Sequence, residues 1–269
     1  MTPFTATVWA MSSVLVFVLL IGITASVRPN AKHDVINAFV CQAVGILGCL
    51  FLMLRVHAPD RSIREVIGAR ATHPAFLPLG ISLGLAASLP TSALYSAIER
   101  RWPEPEQAAD PFVDALTSGS RLTQVSVALC AVVAAPVLEE LFYRGALFTP
   151  QRRRSGAFTV VVVTAVLFAL AHLVPQKLLP LCLLGVALGV LRAASGSILP
   201  SVLMHATFNA LPTWSLLVEG RPPPDRPDEP IPWAMAAASA AIAAALLLAA
   251  HRLGQRSEIA ARARAGDVE

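Results

Sequence analysis

The sequence predicts an all-α fold, a polytopic bundle of about eight transmembrane helices. Three observations carry this. Apolar residues make up 55% of the 269 and charged residues 14%, against about 25% charged in a soluble domain. The apolar residues gather into eight stretches, most of them near the roughly 20 residues a helix needs to cross the hydrocarbon core. Nearly all Lys and Arg lie between those stretches or at their ends. A chain so poor in charge cannot cover a globular surface, which excludes a cytosolic globular enzyme, a disordered chain and a nucleic-acid binder built on a basic face.

The elements follow in order. Thr7–Val27 has no Lys or Arg before it and no clear cleavage site after it, so it reads as a span rather than a signal peptide. Val35–Leu54 and Ala75–Ile98 come next. Glu104–Arg121 is a longer loop in which Phe112, Val113, Ala115 and Leu116 suggest a short interfacial helix. Thr123–Phe148 is long and carries charge; Gly156–Leu173, the short Leu178–Ala193 and Ser197–Val218 follow. Arg221–Pro232 holds six prolines in twelve residues and reads as a stiff connector. Trp233–Ala250 is the eighth span, and 252–269 is a polar, Arg- and Ala-rich tail. No repeat, second soluble domain or Gly-rich phosphate loop interrupts the pattern, so 1–269 reads as one integral membrane domain with a motif-bearing core at about 123–218. Cys41, Cys49, Cys130 and Cys182 all fall in apolar runs and read as reduced, buried thiols.

Eight spans put both termini on one side. That side carries twelve Lys and Arg and the other carries eight, Arg144 inside a span being the twenty-first. Basic residues concentrate in cytoplasmic loops, so both termini and the tail are expected in the cytoplasm, in the manner of a prokaryotic inner or plasma membrane protein.

Ionisable side chains inside a span are costly and mark function by default. They come from three spans: Glu139, Glu140 and Arg144 from the fourth, His172 at the end of the fifth, and His205, with the amide Asn209, from the seventh. Glu140 and Arg144 are four apart and can pair on one helix face. Glu139 then points about 100° away, free to act as a general base. His205 and Asn209 are also four apart, and both can donate toward one point, as an oxyanion pocket requires. Phe168 lies four before His172 and can wall that ring off from lipid. At 1.5 Å per residue, Glu139 lies roughly 20 Å from Arg152 and His205 roughly 20 Å from Arg192, but His172 lies roughly 27 Å from Arg154, about a turn too deep.

Glu139-Glu140-Leu141-Phe142-Tyr143-Arg144 reads EExxxR, Phe168 to His172 reads FxxxH, and His205 to Asn209 reads HxxxN. In order and spacing, over Pro136 to Leu211, these resemble the CPBP (Abi) family of intramembrane proteases. That family includes CAAX prenyl endopeptidases of the Rce1 type and bacteriocin-processing or self-immunity proteins. The resemblance implies an eight-span helical core with a water-filled cavity, in which Glu139 and His172 activate the attacking water. It further implies that His205 and Asn209 stabilise the oxyanion and that Glu140 and Arg144 support the site.

The family has been described both as metalloproteases and as metal-independent glutamate proteases. The metal-free reading is favoured here, the alternative being a single zinc assembled from Glu139, His172 and His205. The expected partners are a peptide or protein substrate at the membrane and the lipid bilayer, with no nucleic acid. Two other functions stay open: a non-catalytic membrane partner such as a bacteriocin-immunity factor, and a proton-coupled transporter. Against the transporter stand the lack of repeat symmetry and of Gly/Pro-broken helix pairs.

Overall fold

A computed structural model describes residues 1–57, 62–103, 110–221 and 230–266. Among them there is no strand. The helices are α1 (Pro3–Val27), α2 (Val35–His57), α3 (Ile63–Ile67), α4 (Phe76–Arg101), α5 (Pro111–Thr117), α6 (Arg121–Arg152), α7 (Ala157–Leu170), α8 (Leu178–Ser195), α9 (Leu199–Glu219) and α10 (Trp233–Gly266). Six of these, α1, α2, α4, α6, α8 with the short turn before it, and α10, are each long and apolar enough to cross a membrane. The chain is an integral membrane protein built as a helical bundle.

Two helices differ from the expected spans. The fifth stretch ends earlier than its hydropathy suggests: α7 has only 14 residues and stops at Leu170, before His172. The seventh, α9, has 21 residues but is not among the six helices long and apolar enough to span; His205 and Asn209 lower its hydropathy. The interfacial segment expected after Glu104 is α5, started by the Asp110 side chain, which accepts from Phe112 N–H, and by Pro111 in the first turn. The apolar eighth stretch runs on without a break into the tail, as α10 continues to Gly266. Most of the proline-rich connector lies outside the described residues.

Contacts between loops sort them into two ends. At one end the N-terminal amine reaches Pro150 O at 3.4 Å, Trp9 donates to His57, and Arg70 donates to Gly196 O. At the other, Asn37 donates to Thr24, Gln176 to Trp102 O, and Arg221 pairs with Asp114 at 2.6 Å.

Helices cannot be pressed together in lipid by the hydrophobic effect, so close approach rests on small residues. The α4–α9 contact uses Gly80 and Gly84: a Cβ there would stand 2.5 Å from the carbonyl oxygens of Pro200 and Met204, respectively. The α7–α8 contact uses Gly185, where a Cβ would meet Ala165 Cα at 2.9 Å. These contacts fix α9 and α7, the two helices that bring His205 and His172 toward α6. All four cysteines are free, Cys41 and Cys49 buried and the other two partly so.

Candidate active site

The site is built on α6, which is not a regular helix. Its turns widen to π geometry over Cys130–Ala134 and again over Leu141–Leu147. Pro136 gives a local cause for the first. It has no N–H, and in a regular helix its ring clashes with the carbonyl four residues back. Ala135 N–H bonds Cys130 O instead of Ala131 O, and Pro136 offers no hydrogen to take its place. The Ala131 carbonyl is left to a side chain, and Asn209 Nδ2 donates to it at 3.0 Å. The second wide turn works similarly. Phe148 N–H bonds Tyr143 O and Gly145 O, bypassing Arg144 O, which accepts from Arg192 Nε at 3.0 Å. Arg192, near the end of the sixth apolar stretch, is buried and clasps α8 to α6. Such π segments recur at functional sites, where they re-aim side chains.

Glu140 and Arg144 are wholly buried and paired at 3.0 Å. The guanidinium also donates to Gly185 O at 3.1 Å and lies 4.7 Å from the centre of the Phe168 ring. The same Glu140 oxygen, Oε1, faces His205 Nδ1 at 3.1 Å. Since a carboxylate accepts, Nδ1 carries the proton. His205 Nε2 then stands 3.7 Å from Glu139 Oε2, an ion-pair distance rather than a hydrogen bond. Arg144, Glu140, His205 and Glu139 thus form one chain of polar contacts across α6 and α9.

Phe168 is the hub of this cluster. Fully buried, it makes edge contacts with the rings of His172 at 4.9 Å, His205 at 5.5 Å and Tyr143 at 5.5 Å. Its role exceeds the shielding expected of it. His172 lies past the end of α7, in a turn closed by Leu173 at a φ of 58°, with Nδ1 2.9 Å from Phe168 O. A carbonyl only accepts, so the proton is on Nδ1 and the neutral ring keeps a basic lone pair on Nε2. The depth mismatch disappears: α7 is roughly 20 Å long from Ala157 to Leu170, and the chain turns back there instead of burying His172 deeper.

Glu139, His172, His205 and Asn209 all line one cavity of about 490 Å³, whose other walls come mainly from α1, α2 and α8. Glu140 and Arg144 stand behind it. Two cavity residues escaped the sequence reading. Gln42 of α2 donates to Glu139 Oε1 at 2.9 Å, and Tyr143, inside the EExxxR stretch, forms part of the wall. Gln42 did carry a signal, as a polar side chain amid Phe39-Val40-Cys41 and Ala43-Val44. Among the described residues no three His, Cys, Asp or Glu stand close enough to hold a metal ion. The residues as placed do not fit a three-ligand zinc centre, whose ligands lie about 2 Å from the metal.

No curated protein and no solved structure matches the chain. The family model described as type II CAAX prenyl endopeptidase Rce1-like matches residues 121–211, from the start of α6 into α9 and across all three motifs. That stretch is 91 of the 269 residues, and its similarity is consistent with the CPBP/CAAX protease family.

Proposed function

We propose that this protein is an intramembrane endopeptidase that hydrolyses a peptide bond near the membrane surface with a water activated by Glu139 and His172. The observation that supports it most is the convergence of Glu139 and His172 on one cavity with His205 and Asn209. In this reading Gln42 holds one oxygen of Glu139, and the carboxylate takes a proton from water as it attacks the scissile carbonyl. His172, its Nδ1 proton committed to Phe168 O, offers Nε2 as an acceptor that orients the attacking water, and Glu139 passes the proton it has taken to the leaving amine.

The oxyanion is met by Asn209 and His205. One hydrogen of the Asn209 amide is held by Ala131 O, which orients the second. His205, held at Nδ1 by Glu140, turns its Nε2 side toward the same cavity. Arg144 neutralises Glu140 and fixes it in place. Both termini lie in the cytoplasm in this reading, the substrate being a peptide or protein at the membrane.

The test is cleavage of a candidate membrane peptide by the purified full chain, with Glu139→Gln alongside and with and without a chelator. Removing a general base typically costs about 100- to 10,000-fold. We expect Glu139→Gln to fold normally and lose turnover in that range, and the wild type to keep full activity under chelation. Full turnover of Glu139→Gln would reject the mechanism. Loss of wild-type activity to chelator, restored by zinc, would reject its metal-free form.

A further inference from the structure

A second concavity, of about 500 Å³, opens at the end of the bundle where the N-terminus sits. Its walls are apolar, from Val161 and Val162 of α7 and Val186 and Val190 of α8. The third wall is α10, which approaches α8 so closely that a Cβ on Gly254 would stand 2.6 Å from Ala194 O. The rim is polar. Arg152, at the end of α6, stands on one side with one guanidinium nitrogen on Ser155 O at 2.9 Å. His251 and Gln255, joined at 3.1 Å, stand on α10. Arg153, Arg154, Arg252 and Arg256 are exposed in the same two segments. No Asp or Glu occurs in 151–162 or 250–257. Phe158, 82% exposed, also borders the opening.

We propose that this furrow binds an anionic phospholipid, with an acyl chain along the valines and the headgroup phosphate at Arg152 and His251. Two features choose this occupant. Apolar walls continuous with a polar rim at a helix end match a lipid lengthwise, whereas free phosphate would use only the rim. The excess of arginine in these two segments favours a net negative headgroup over a zwitterionic one, whose choline would add a cation to a cationic rim. Basic pockets between helices at the membrane surface hold anionic headgroups in this way. The inference does not depend on the proteolytic reading.

The experiment is titration of the detergent-solubilised full chain with phosphatidylglycerol and phosphatidylcholine of identical acyl chains, read by native mass spectrometry. We expect phosphatidylglycerol to bind at least roughly tenfold more tightly, at about fivefold for each cation engaged. The double variant Arg152→Gln/His251→Gln should fall to the phosphatidylcholine level. Val190→Trp, which fills the furrow and leaves the rim intact, should weaken both lipids. Equal affinity of the two lipids for the wild type would overturn the proposal. So would a double variant that keeps its preference, a Val190→Trp variant that binds both lipids normally, or displacement of the lipid by millimolar inorganic phosphate.

Discussion

Asn209 gives one amide hydrogen to a carbonyl that the wide turn of α6 has released, and its second hydrogen is the one available to an oxyanion. A donor that acts mainly in the transition state lowers turnover more than substrate affinity when removed. Asn209→Ala is expected to lose about 100- to 1000-fold in kcat with KM little changed; steady-state kinetics on a verified substrate would show otherwise if Asn209 only bridged α9 to α6. In the proposed mechanism Gln42 acts through Glu139. Replacing it with the similarly sized leucine removes one hydrogen bond to a charged group, worth about 1.5–3 kcal/mol, so kcat should drop roughly ten- to a hundredfold. A wild-type rate for a well-folded Gln42→Leu would dismiss that positioning role.

The difference in legibility between these residues is physical. Glu139, Glu140, Arg144, His172, His205 and Asn209 stand out because polar groups are scarce in apolar runs, and the structure places all six in or directly behind one cavity. Gln42 is neutral, and its partner lies 97 positions away, a pairing no local pattern encodes. The hydrogen bond of His205 to Glu140, its approach to Glu139 and the bond of Asn209 to Ala131 O were equally hidden.

At the scale of elements, the expected spans correspond to helices, because a polypeptide crossing lipid must satisfy its backbone internally. Their ends were less legible. The run through Leu173 looked like one span because hydropathy does not register the turn that stops α7 at Leu170. Pro136 signalled the irregular α6, but a proline announces a break without saying that wider turns will absorb it. The α4–α9 seam is where small residues matter most. Gly84 lies against Met204 and Thr207, one residue before and two after His205 in α9. Gly84→Leu drives a side chain into the backbone of α9, and overpacking of this kind costs about 1–3 kcal/mol. Thermal unfolding in detergent should show the loss; an unchanged melting temperature would mean that the seam can open without penalty. Gly48, with open space where its Cβ would be, supplies the control, since Gly48→Ala should be neutral or slightly stabilising.

For the whole molecule, the bond between the N-terminal amine and Pro150 O ties the start of the chain to the Arg-rich turn after α6. These two points must therefore share a side of the membrane whatever the orientation. Reporter fusions after Arg154 and at Glu269 are both expected to report cytoplasm; a periplasmic signal from either would contradict the charge-based orientation. The lipid-facing surface of α7 has a further consequence. Phe158, Val162, Val166 and Leu170 form its exposed stripe, about 18 Å from first to last at 1.5 Å per residue, beside hydrocarbon about 30 Å deep. A stripe that short draws the two leaflets toward each other or tilts the protein. Beside His172, then, the membrane is expected to be at its thinnest, a dimple that shortens the path of water and of a polar peptide to the cavity. The protein would carry its own defect in the bilayer, and the proposed turnover, measured in vesicles of increasing acyl length, should decline as that dimple becomes harder to sustain.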